Sequence, residues 1–175
     1  MYTINSNILI IGTIGVGKTT LLNSLKKGFS HSTLMIDNMR MEFGDGTFSK
    51  EYLAWSKFLE EIERCEKLIV EFSGAGLHKF AVKESMKHTG INWIVLYLLG
   101  DIDKLKERNK GKIWNIPYPW KQPVNDIVEN VCVELQEDWN NEFWFEKNIR
   151  CFKVHQNTLV NEIIEKIKLA EKKYE

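Results

Sequence analysis

Gly12-Thr13-Ile14-Gly15-Val16-Gly17-Lys18-Thr19 brings three glycines, an ammonium and a hydroxyl together within eight residues. The spacing is G-x-x-x-x-G-K-[ST], and each part suits the capture of a triphosphate. Glycine lets the backbone curl until its N–H groups face phosphate oxygens with no Cβ in the way. The Lys18 ammonium has the length to reach the β- and γ-phosphates, and the Thr19 hydroxyl is a ligand for the Mg²⁺ that bridges them. Thr13, Ile14, Val16 and Thr20 complete the expected ATP cradle through their backbone. The positive end of the following helix points into it.

Other residues decide what the triphosphate is for. Asp37 follows a short β-like run, residues 32–36, where a carboxylate can take the proton of an acceptor hydroxyl as it attacks the γ-phosphate. Arg40 lies three residues on, which is one helix face if the segment is helical. Its guanidinium can grip a substrate phosphate or carboxylate with two hydrogen bonds, or simply pair with Asp37. Glu71 ends the apolar run 68–70. It can hold Mg²⁺ through water, contact the acceptor, or bond to the glycine loop as a buried carboxylate. Ser73-Gly74-Ala75-Gly76 offers backbone N–H groups to a phosphate or sugar, or is a plain turn. Between Asp101 and Lys112 the chain carries four lysines and Arg108. Arg108 is the expected cation for charge developing on the γ-phosphoryl group. Trp114, Tyr118 and Trp120 can stack on a base or anchor this segment on the body of the protein.

These groups need elements that converge on one edge. Residues 7–11, 32–37, 67–72, 92–99 and 150–155 are short and apolar, as buried parallel strands are. Helical patterns separate them. Gly28 is placed to close the first helix, and Ser49, Asn125 and Thr158 to cap later ones. Trp55, Phe58, Leu59 and Ile62 share one helical face. A β-α alternation of this kind predicts a five-stranded parallel sheet with helices on both faces and ligands at the carboxyl ends of the strands. One domain over residues 1–175 is expected, with a lid near 108–123 that holds all three prolines.

Composition excludes some functions. Lys+Arg and Asp+Glu are equal at 24 each, so no global basic field holds long nucleic acid. Cys65, Cys132 and Cys151 form no C-x-x-C, and the four histidines form no metal-ligand spacing. The first strand begins within a few residues of the start and no run is long enough to span a bilayer, so the expected location is the cytoplasm.

Taken together, the glycine loop, Asp37-Asn38-Met39-Arg40 and the basic stretch 105–112 resemble the small P-loop kinases. Within them the nearest resemblance is to the polynucleotide kinase and seryl-tRNA kinase branch. The resemblance implies strand order 2-3-1-4-5, Asp37 as general base, Arg40 on a substrate phosphate and Arg108 as a lid arginine. It implies ATP and Mg²⁺, and a small molecule, nucleotide or nucleic-acid end as acceptor. The lid has lysines where the family often has a second arginine, and Pro117-Tyr118-Pro119-Trp120 matches no family pattern. A GTPase would need an Asp after Asn109-Lys110-Gly111 and an Asp-x-x-Gly after the third strand; both are missing. A non-kinase P-loop NTPase or a nucleotide-binding accessory module is the remaining alternative.

Overall fold

A computed structural model describes residues 2–113 and 115–174. Its elements are β1 (Asn7–Ile11), α1 (Lys18–Gly28), β2 (Ser32–Met35), α2 (Ile36–Phe43), α3 (Phe48–Arg64), β3 (Leu68–Glu71), α4 (His78–His88), β4 (Trp93–Leu99), α5 (Ile102–Asn109), α6 (Val124–Asn140), β5 (Ile149–His155) and α7 (Val160–Glu171). All strand pairs are parallel and the order is β2-β3-β1-β4-β5. This is the expected 2-3-1-4-5 sheet of the P-loop kinase fold.

The apolar runs conceal an alternation. Along β1, Ile8 and Ile10 pack with Leu22 and Leu25 of α1 and Ile163 and Ile167 of α7. Leu9 and Ile11 pack on the other face with Phe58 and Ile62 of α3 and Val82 and Met86 of α4. Both faces of β1 are therefore dry, and its five residues are all buried. Each fully buried Ile or Leu side chain contributes roughly 1.5–3 kcal/mol relative to exposure.

Register sets the working edge. Glu71 stands level with Ile10 on one side and Met35 on the other. The chain leaves β1 for the glycine loop and β2 for α2 at this same level, so Lys18, Asp37 and Glu71 converge.

Several boundaries differ from expectation. β2 stops at Met35, and Asp37 sits in the first turn of α2, where a carboxylate meets the positive end of the helix. Helix α1 runs through Gly28, and Phe29 ends it with an N–H donated to the Leu25 carbonyl. Thr47, not Ser49, caps α3 by accepting from the Lys50 N–H. Pro123 and Leu159, not Asn125 and Thr158, occupy the cap positions of α6 and α7. No helix among the described residues is long and apolar enough to cross a membrane. The three cysteines are free thiols.

Candidate functional site

The glycine loop joins β1 to α1 with left-handed backbone at Gly15 and Gly17. A Cβ on Gly17 would meet nothing within 4 Å, so its left-handed conformation faces open space at the helix N-terminus. Gly15 is required for a second reason: a Cβ there would stand 2.5 Å from Asn109 Nδ2. Lys18 Nζ donates to the Thr13 carbonyl at 3.1 Å. Thr19 Oγ1 donates to Glu71 Oε1 at 2.9 Å, while Glu71 Oε2 is buried with no partner among the described residues. Burial pushes the Glu71 carboxyl above its ordinary range, against the pull of Lys18 and of the Thr19 hydroxyl. Burial pushes Lys18 below its ordinary range, and Lys112 adds to that, against Glu71 and Asp37. Ile14, Lys18 and Thr19 line the adjoining cavity. Thr13 turns inward and donates to the Val128 carbonyl, Val16 is in the core, and Thr20 is exposed on α1.

That cavity, about 840 Å³, continues from the loop past Asp37, Arg40 and Trp55 to Tyr118 and Trp120. Arg40 is 7% exposed. Its Nε donates to both Glu51 oxygens at 3.0 Å, and Nη2 donates to Glu51 Oε1 at 2.6 Å. Its Nη1 donates to Asp37 Oδ1 at 2.9 Å. Burial works against the guanidinium charge, but the hydrogen bonds and charge of Glu51, with Asp37, outweigh it and raise Arg40 above its ordinary value. Glu51 also accepts from Trp55 Nε1 at 2.8 Å. Tyr118 donates its hydroxyl proton to Asp37 Oδ1 at 3.1 Å, and its ring lies 4.8 Å from the guanidinium carbon. Burial and the Asp37 charge push the Tyr118 hydroxyl well above its ordinary range. Asp37 itself keeps 45% of its side chain exposed.

Arg108 belongs to the last turn of α5 and donates Nη1 to the Gly15 carbonyl at 2.8 Å. It therefore touches the loop but does not line the cavity. Its neighbour Asn109 is 1% exposed and donates Nδ2 to the Ile14 and Leu105 carbonyls at 3.1 and 2.8 Å. In the turn 73–76, the Gly76 N–H donates to Glu134 Oε1 at 2.9 Å, so a side chain of α6 already holds that donor. Tyr118 and Trp120 lie against Arg40, 6.0 Å from each other; Trp114 falls outside the described residues.

The structure thus brings Lys18, Thr19, Asp37, Arg40 and Glu71 to one cavity and sets Arg108 beside the loop. Sequence reasoning missed Glu51, Asn109 and Glu134. Glu51 carries no signal of its own in the sequence, and only the tertiary approach of α2 to α3 reveals it. Asn109 had one signal: an amide at the end of a charged helix, amid lysines. Among the described residues no cluster of His, Cys, Asp and Glu forms a metal site by itself. The Thr19 hydroxyl and the Glu71 carboxylate, joined by a hydrogen bond and lining one cavity with Lys18, fit a magnesium-bound triphosphate.

No protein-family model and no curated protein sequence matches the chain. Solved structures do match. A shikimate kinase from Acinetobacter baumannii in complex with shikimate aligns with a TM-score of 0.69 at 15% identity, covering 95% of each chain. A gluconokinase from Sinorhizobium meliloti 1021 aligns with a TM-score of 0.64 at 16% identity, covering 99% of this chain and 98% of the other. A sugar kinase from Janibacter sp. HTCC2649 aligns at 0.61 and 12% identity, covering 93% and 92%. At these identities the likeness establishes the fold, which is that of small-molecule P-loop kinases.

Proposed function

We propose that this chain transfers the γ-phosphoryl group of ATP to a hydroxyl of a small acceptor, as one catalytic unit with residues 108–123 as its lid. One observation carries the reading: Asp37, the carboxylate in the first turn of α2, lines the same cavity as Lys18 and Thr19 of the triphosphate loop. The similar solved structures, named as kinases of shikimate, gluconate and sugar, support it. The Asp37-x-x-Arg40 element and the basic stretch 105–112 support the narrower kinship with the polynucleotide kinase branch.

The roles follow from position. The loop N–H groups and Lys18 bind the β- and γ-phosphates. Thr19 and Glu71 would hold Mg²⁺, which neutralises phosphate charge and orients the triphosphate. Asp37 accepts the acceptor proton, and its bond from Arg40 fixes the carboxylate for that task. Arg108, tied to the loop at Gly15, stabilises charge on the phosphoryl group in flight. Tyr118 and Trp120 bring the lid down on the acceptor side of Asp37.

ADP release from Mg-ATP is the test, measured with nucleosides, nucleotides, RNA 5′-ends and polyhydroxy metabolites as acceptors. Acceptor-dependent release with equal formation of a phosphorylated product is expected. Release that no acceptor changes, or a preference for GTP, refutes the kinase reading.

A further inference from the structure

The acceptor end of the cavity carries its own counter-charges. Arg40 is the buried cation there, and two carboxylates already match its charge. Glu51 takes its Nε–H and one N–H of Nη2, Asp37 takes one N–H of Nη1, and the rings of Trp55, Tyr118 and Trp120 surround its carbon at 5.5, 4.8 and 5.9 Å. The second place where an anion would be expected to dock is the turn 73–76 before α4. Its Gly76 N–H is held by Glu134, which is itself paired with Lys79 at 2.7 Å. Lys121, the other cation on this wall, is exposed and screened by water. Among the described residues, Asp37, Glu51, Glu134 and Asp138 stand against Arg40, Lys79 and Lys121, so the acceptor end has no uncompensated positive charge to offer. Bringing a phosphate or carboxylate here would desolvate it beside these carboxylates.

The rest of the wall is uncharged: beside Asn38, Ser73, Gln122 and Asn130 it carries apolar side chains. Ile36, Ile116, Ile127 and Val131 line it, and Trp120 is 39% exposed at its mouth. A large exposed indole on a cavity wall is covered best by another flat ring.

Resting on the kinase reading above, we infer that the acceptor is an uncharged, hydroxyl-bearing molecule with a flat aromatic or heteroaromatic body, of nucleoside type, and that the internal Glu51–Arg40 pair is what excludes anionic acceptors. Arg40 is then a positioning residue for Asp37 rather than a grip on substrate.

The experiment compares matched pairs. Uridine, cytidine and thymidine are each set against their 5′-monophosphates, with glucose and gluconate as a pair lacking a ring system. Binding is read by calorimetry in the presence of Mg-ADP, and transfer by ADP release with Mg-ATP. At least one nucleoside is expected to bind more tightly than its monophosphate by roughly tenfold or more, the scale set by desolvating a charge without a partner. Both members of the aliphatic pair are expected to bind more weakly than that nucleoside. Glu51→Gln keeps the shape and the Trp55 bond but frees Arg40, so it should narrow the gap by raising monophosphate affinity; Trp120→Ala should weaken the nucleoside alone. The wild-type pairs decide the matter even if Glu51→Gln folds poorly. A monophosphate or gluconate that binds as well as or better than its neutral partner overturns the inference, as does binding by no nucleoside; either result leaves the kinase reading to its own test. Selective nucleoside binding without transfer sustains the inference about the pocket and removes the kinase reading instead.

Discussion

At the phosphate end of the cavity, Lys18 donates to a carbonyl oxygen, Glu71 keeps a buried oxygen without a partner among the described residues, and Gly17 faces open space. At the acceptor end, Arg40, Glu51, Asp37, Trp55 and Tyr118 satisfy one another. The first region is built short of charge partners and, on the kinase reading, would be completed by a ligand that brings phosphate and metal. The second is satisfied internally, so on the same reading it would select shape and the position of one hydroxyl. Burial shifts Lys18 down and Glu71 up, the mark of groups held ready at some cost in stability. The buried Arg40 guanidinium is held charged instead, by the hydrogen bonds and charge of Glu51.

The sharpest way to separate the two ends is to disable one residue in each and watch different steps fail. Asp37→Asn should lower turnover by roughly 10²–10⁴-fold, the usual worth of a general base, and leave ATP affinity nearly unchanged. Lys18→Ala should lower turnover by about 10²–10³-fold and also weaken ATP binding. Nucleotide titration by calorimetry beside single-turnover assays distinguishes the two. If Asp37→Asn keeps full turnover, the base lies elsewhere; if Lys18→Ala leaves both ATP binding and turnover intact, the loop is not the triphosphate site.

The two ends also differ in how legible they were. The phosphate end is mostly local: eight consecutive residues at one strand–helix junction supply all of it but Glu71, and their types dictate their use. The placing of Asp37 and Glu71 on one edge followed from β-α alternation, which allows few topologies, whereas the strand order came from the resemblance to the small P-loop kinases. The acceptor end is assembled from α2, α3, the segment 116–122 and α6, and its decisive bond joins residues 40 and 51 across a turn. Glu51 carries no periodic signal, because one charged residue in the first turn of a helix looks the same whether it meets water or a buried arginine. Tyr118 lies 81 residues from Asp37, and nothing in the Pro-Tyr-Pro-Trp stretch announces that bond. Helix starts were misplaced by one or two residues because Ser49, Asn125 and Thr158 are cap-competent side chains that the tertiary contacts did not use as caps.

If the acceptor end is closed on itself, breaking it from one side should hurt more than dissolving it. Arg40→Met leaves Glu51 buried without its counter-charge, and about 3–5 kcal/mol of stability should be lost. Adding Glu51→Gln removes the stranded charge while keeping an acceptor for Trp55 Nε1, and most of that loss should return. Urea midpoints of the two variants measure it. A double variant as unstable as Arg40→Met alone would mean that the pair answers to charges outside it, and the contrast with the phosphate end would lose its basis.

The smallest effect should run the other way, at the phosphate end and in favour of stability. The native state holds Glu71 above its ordinary value of 4.5, so the folded protein binds this proton more readily than the unfolded chain. Ionising Glu71 therefore costs stability: the full benefit of its protonated form is present below 4.5 and is lost as pH rises through the raised native value. Glu71→Gln mimics the protonated group and still accepts from Thr19. In ligand-free protein it should gain roughly 0.5–2 kcal/mol at pH 8, the common return for relieving a strained functional position, and little below pH 4. With Mg-ATP present the order should reverse, because the wild type then has a use for the charge. Thermal midpoints at the two pH values, with and without Mg-ATP, provide the four numbers. A Gln variant less stable than wild type at pH 8 without ligand would show that Glu71 is as well satisfied as Arg40, and the two ends would no longer differ.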